Sequence, residues 1–239
     1  AGQGRAWRNG RGCVMALRDS RPSFAIRQSG NAPAMPGGVL HGLPLRPPSL
    51  AWDGQRYTGS RLLAFDAPAA QALPGVVAVM RREHYIGVVA VTAVLARQAV
   101  DSLYPVWRQT SDPAGKRVAA TEHRAAESNA APYVWHLPAR ASDIGIAATA
   151  WCAQDRAAVW VPCSEPRQQA VMRAELSRLL GLDADRIQIV DIGAGSMDGV
   201  HALDALDAAA DAALLSQCVQ RPVRVPLQSQ AVPGELALR

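Results

Sequence analysis

With 239 residues, 49% of them hydrophobic, the chain is long enough to bury a substantial core, as one large or two small domains. Its net charge of +5 rests almost wholly on arginine, because Lys116 is the only lysine. No run approaches the roughly 18 apolar residues of a membrane-spanning helix, and the four cysteines lack the CxxC spacing of zinc and iron–sulfur sites.

Residues 1–37 are rich in Gly, Arg and Pro and show no periodicity. They read as an extended arm that becomes ordered on a partner. Six arginines in residues 1–30 face one acid, Asp19, but too few stacking aromatics are interleaved for a nucleic-acid surface. Arginine also suits protein interfaces, and that is the expectation for this arm. The chain starts with Ala, not Met, which fits a cleaved leader.

Regular structure is predicted to begin with a strand at 38–45, followed by a loop over 46–60 and a strand at 61–66. A short helix at 67–73 follows, with Asp66 as N-cap and Pro68 in its first turn, and Pro74-Gly75 stops it. Strands at 76–80 and 87–91, a helix at 92–103 and a strand at 104–107 complete a compact α+β unit. Residues 108–132 are polar and alanine-rich, a linker or long surface connection.

Two strands, 133–137 and 144–151, then lead through a turn at 153–155 into a strand at 156–162. From there the pattern is helix 165–180 closed by Gly181, strand 187–192, glycine loop 193–199, helix 204–219 and strand 222–227. Two crossover helices between short apolar strands mark an α/β layer, so the fold class is mixed α+β and α/β. The last helix places Leu203, Leu206, Ala210, Leu214 and Cys218 along one side, with Asp204, Asp207 and Asp211 elsewhere. Cys152 and Cys163 flank one predicted hairpin; two buried free thiols are the expected state.

The glycine loop 193–199 sits where open α/β sheets hold ligands. Gly193, Gly195, Ser196 and Gly199 are therefore candidate contacts for a phosphate. The competing reading is a tight turn capped by Ser196 or Asp198. Arg167 is a candidate clamp for a phosphate or a partner's carboxylate. Asp191 and Asp198 have no spacing that forces them together as an acid–base pair. The five histidines show no HxH or HxxxH pair, no GxSxG elbow exists, and the Gly-x-Gly lacks the third glycine of a dinucleotide fingerprint. No catalytic residue and no metal ligand is assigned to this chain.

Five segments, read in order, resemble the large subunit of the molybdenum hydroxylases. They are 62–80 (LLAFDAPAAQALPGVVAVM), 87–99 with its Gly-Val-Val-Ala-Val and Ala96-Arg-Gln-Ala99, and 159–189 with Val159-Trp160, Leu179-Leu-Gly-Leu182 and Asp185-Arg-Ile-Gln-Ile189. Ala212-Ala-Leu-Leu-Ser216 and Arg221-Pro-Val-Arg-Val225 complete the set. The branch resembled is the isoquinoline oxidoreductase and membrane-linked aldehyde dehydrogenase type, over residues 38–228.

The resemblance implies an arm (1–37), a small hammerhead-like α+β domain (38–110), a linker (111–132), the start of a molybdopterin-binding-type domain with βαβ units (133–228) and a tail (229–239). It also implies aldehyde or N-heterocycle oxidation in a complex of three kinds of partner. These are a larger molybdopterin-bearing subunit, a two-cluster iron–sulfur subunit, and a cytochrome c carrying haem for electron transfer. Any membrane contact would run through those partners.

The family's Gly-Gly-Gly-Phe-Gly loop falls on Gly195-Ser-Met-Asp-Gly199, where side chains replace bare backbone. Its cofactor-facing glutamine falls on Arg167 or, with a slip of one residue, on Gln168. Its catalytic glutamate lies beyond residue 239, so the chain is not expected to be a complete molybdenum hydroxylase. The resemblance thus implies a non-catalytic structural subunit with no cofactor of its own. Its alternatives are the first half of a split catalytic subunit holding molybdopterin cytosine dinucleotide, and a stand-alone small-anion or interaction module. Exported enzymes of this branch make the periplasmic side of a bacterial inner membrane the expected location, with the cytoplasm as alternative.

Overall fold

A computed structural model describes residues 8–9, 13–15, 34–48, 59–108, 133–135, 147–193, 202–227 and 236–238. In chain order the elements are β1 (Arg8–Asn9), β2 (Cys13–Met15), β3 (Leu40–Leu45), β4 (Arg61–Ala64), α1 (Ala67–Ala72), β5 (Val76–Arg82), β6 (Tyr85–Ala90), α2 (Ala93–Asp101) and β7 (Val106–Arg108). Then follow β8 (Tyr133–Trp135), β9 (Ala147–Cys152), β10 (Ala157–Val161), α3 (Pro166–Leu180), β11 (Ile187–Asp191), α4 (Ala202–Val219), β12 (Val223–Pro226) and β13 (Leu236–Leu238). This is the mixed α+β fold expected from the sequence.

Local chemistry explains the helix limits. The Asp66 carboxylate accepts from the backbone N–H of Ala69 at 2.9 Å to start α1, and the Thr92 hydroxyl accepts from Leu95 N–H at 3.2 Å to start α2. Pro166 opens α3. Gly181 closes it in the left-handed region at φ 68°, its N–H donating to Ser177 C=O at 2.9 Å.

Among the described residues one sheet of nine strands runs in the order β1-β2-β5-β6-β3-β12-β9-β10-β11. Among the described residues only β3–β12 and β10–β11 pair in parallel. Segments from both sides of residues 111–132 therefore share this sheet, joined where β3 lies beside β12. Helix α3 makes the short crossover from β10 to β11, and α4 carries the chain back across β10 and β9 to β12. Within the predicted arm, β2 takes its order from the edge of β5, with Cys13 opposite Met80.

Alternation along the strands divides the interior in two. Leu43, Val79, Ile86, Val88 and Ala90 pack with α1 and α2, whereas Leu40, Ala78, Met80 and Val89 join the cluster of α3, α4 and β9–β12. α4 is buried on nearly every side, with Ala208, Ala209, Ala212 and Ala213 all at most 3% exposed. This corrects the expectation of an ordinary amphipathic helix. Leu206 and Ala210 on the expected core side are only half-buried, and Asp211, expected elsewhere, is buried. The reason is that α4 touches the sheet along one side and α3 along another, and small residues let both come close.

Asp211 keeps its place by pairing with Arg46, just beyond β3. The Tyr85 hydroxyl is buried beside this pair, and among the described residues Arg46 Nε is buried without a hydrogen-bond partner. Glycines open the sheet to this helix: a Cβ on Gly42 would meet Leu215 Cδ1 at 2.6 Å, and one on Gly87 would meet Leu215 Cδ2 at 2.6 Å.

Ser216 fastens α4 to β9. Its hydroxyl accepts from Cys152 N–H at 2.8 Å and donates to Arg221 C=O at 2.7 Å. Ser216→Ala would leave the Cys152 N–H buried without an acceptor, so urea unfolding should show a loss of about 1–3 kcal/mol. Unchanged stability would mean that the bond contributes nothing net. Cys152 and Cys163 are buried free thiols, as expected, and burial pushes Cys152 up to about 12. Cys218 is disulfide-bonded, a bridge that cysteine spacing alone does not announce.

Candidate site at the ends of two parallel strands

Parallel register sets Val161, the last residue of β10, beside Asp191, the last of β11. The crossover helix α3 starts five residues after Val161, so its first turn stands over these strand ends. Open α/β layers present their ligand-binding loops at this position.

A carboxylate of the chain itself occupies the corner. Asp191 Oδ1 accepts from Cys163 N–H at 3.0 Å and from Gly193 N–H at 3.1 Å. The second contact is a side chain reaching two residues ahead, an Asx-type turn. Gly193 takes φ 57°, the left-handed conformation that favours glycine, so the turn itself accounts for this residue. The Gln169 amide donates to Cys163 C=O at 2.7 Å, closing the loop between β10 and α3. Burial, with the negative charges of Asp191 and Glu165, raises the Cys163 thiol above its ordinary value, so it stays protonated and weakly nucleophilic.

Of the sequence candidates, Gln168 lies half-buried in the first turn of α3 and Gly193 lies exposed just beyond β11. Arg167 is exposed. Gly195, Ser196 and Gly199, with Asp198, fall in 194–200, outside the described residues. The sequence offers Asp191 only as half of an acid pair. Its placement two residues before a glycine is the signal that identifies it as a turn former. Among the described residues no group of three His, Cys, Asp or Glu side chains converges on a metal position.

No family model matches the chain. In an alignment of 211 positions that covers 79% of this chain, it is 33% identical to a nicotinate dehydrogenase subunit of Pseudomonas putida KT2440. That likeness points to the molybdenum hydroxylase family. The chain spans only 17% of that relative's length. The fold is similar to quinoline 2-oxidoreductase from Pseudomonas putida 86, with a TM-score of 0.50 at 18% identity over 80% of this chain and 31% of that one. A Cu,Mo-CO dehydrogenase superposes with a TM-score of 0.48 at 15% identity over 80% of this chain and 32% of the other. The chain is thus similar to subunits of multi-subunit molybdenum hydroxylases.

Proposed function

We propose that the chain is a structural, non-catalytic component of a molybdenum-hydroxylase-type dehydrogenase complex. It packs against a larger molybdopterin-bearing chain, which works with a two-cluster iron–sulfur chain and a cytochrome c. One observation carries this reading: the Asp191 carboxylate takes the Cys163 and Gly193 N–H groups at the strand ends. A phosphate-bearing pterin needs free donors at such a corner and meets repulsion from a fixed carboxylate. Among the described residues the site does not fit that cofactor. Gln168 then belongs to the first turn of α3, and Gly193 to the turn that Asp191 closes.

The names of the relatives favour an N-heterocycle over an aldehyde as the complex's substrate, since both nicotinate and quinoline are N-heterocycles. The Cys218 disulfide supports an oxidising compartment, in line with the periplasmic side of a bacterial membrane. A second reading, a split catalytic subunit, is favoured by the open space beside Gly193, where an added Cβ would touch nothing within 4 Å.

Affinity purification of the tagged chain from its own host, with molybdenum and iron measured before and after the partners are stripped, separates these readings. Both metals should co-purify, and the stripped chain should hold neither. Molybdenum retained at about one per stripped chain would establish the split reading. An eluate without either metal would remove both.

A further inference from the structure

The small ribbon β4–β7 turns one face inward, where Leu62 and Trp107 are cross-strand partners packed with α1 and α2, and one face outward. A bulge between Leu62 and Ala64 sends both Leu63 and Ala64 outward. Leu63 is 46% exposed, Val106 52% and Tyr104 74%. At the other end of this face Arg61 stands directly opposite Arg108, both exposed. No ion pair engages either guanidinium among the described residues. Like charges directly opposite on two strands are destabilising, and little within this ribbon offsets the cost. Tyr104 also sits at φ 41°, a conformation that non-glycine residues avoid and that surrounding structure must impose.

We infer that the outer face of β4–β7 is a docking surface for an acidic, apolar-bearing segment of the larger partner chain. A carboxylate of the partner would sit between Arg61 and Arg108, and an apolar side chain would rest on Leu63, Val106 and Tyr104. The inference rests on the complex proposed above for its partner. Charge complementarity selects the occupant: a facing arginine pair repels a basic surface and is matched by carboxylates, and Arg and Tyr are the residue types that dominate interface energetics. A second copy of this face would bring four guanidiniums together and is disfavoured.

The test uses the full tagged chain in its host. The readouts are molybdenum per mole of purified chain and the melting temperature of the chain alone. Arg61→Glu with Arg108→Glu should lower the molybdenum ratio by about tenfold or more with little change in melting. Arg61→Lys with Arg108→Lys should keep most of it, and Leu63→Asp should lower it. Hydroxyl-radical footprinting should find Tyr104 protected in the molybdenum-bearing complex and reactive in the stripped chain. An unchanged ratio in the charge-reversed variant, while the wild type carries molybdenum, overturns the docking surface and leaves the proposed complex standing. Dimerisation of the stripped wild type that the reversal abolishes overturns it in favour of self-association. A wild type without molybdenum removes the complex itself.

Discussion

Gly42→Ala is expected to lower the stability of the fold by about 1–3 kcal/mol, because the sheet under α4 has no room for a methyl group. The added carbon would lie 2.6 Å from Leu215 Cδ1, 2.7 Å from Val223 Cγ1 and 3.0 Å from Val225 Cγ2, all in the core. Those atoms belong to fully buried side chains, so relief requires α4 and β12 to move together. Leu215→Ala alone should cost about 2–5 kcal/mol through the cavity it leaves. Combined, the two changes should cost clearly less than their sum, because the new methyl occupies part of the space Leu215 vacates. Urea denaturation of the four proteins gives the cycle directly. Strict additivity would show that Leu215 does not rest on Gly42.

The second large effect is a dependence of stability on pH seated at Asp211. Burial outweighs the attraction of Arg46 and raises this carboxyl from its ordinary 3.8 to about 7, with the neighbouring Asp207 pushing the same way. Tyr85 reaches it from β6 and Arg46 from the end of β3. Between those two pH values the folded chain holds a proton that the unfolded chain has released. Raising the pH therefore favours unfolding. The contribution is fully present below about pH 4 and is lost as the pH climbs through about 7. Asp207 is raised in the same direction, chiefly by desolvation, but it lies exposed on α4 and solvent screening keeps its share small. From pH 5 to pH 8 the wild type should lose on the order of a few kcal/mol, and Asp211→Asn should flatten most of that slope. Equal slopes in the two proteins would place the titration elsewhere.

Much of the fold is legible in the sequence because its punctuation is local. Asp66 with Pro68 and Gly75 bounds α1, and Pro166 with Gly181 bounds α3, each acting within a few residues of its place in the chain. What the sequence does not reveal depends on distant partners. Asp211 is buried because Arg46, 165 residues earlier, meets it, and no periodicity within α4 contains that information. Tyr104 is expected to begin a strand, yet its φ of 41° delays β7 to Val106. At the candidate site the position is readable, since strand, glycine and helix in that order mark a sheet's ligand edge. The role of Asp191 is not, because its contact with Cys163 N–H spans 28 residues and depends on the parallel register of β10 and β11.

The position of β12 bears on how the protein is made. It lies between β3 and β9, parallel to the first and antiparallel to the second, so it is the strand that joins them. A ribosome working from the N-terminus has already released both neighbours long before residue 223 emerges. Until then β3 and β9 each expose a row of unpaired N–H and C=O groups, and the apolar side of α4 has only part of its sheet to cover. Closing such long-range pairs is slow, and bare strand edges invite aggregation. Chaperone demand during translation should therefore peak in the interval between the exit of β9 and the exit of β12.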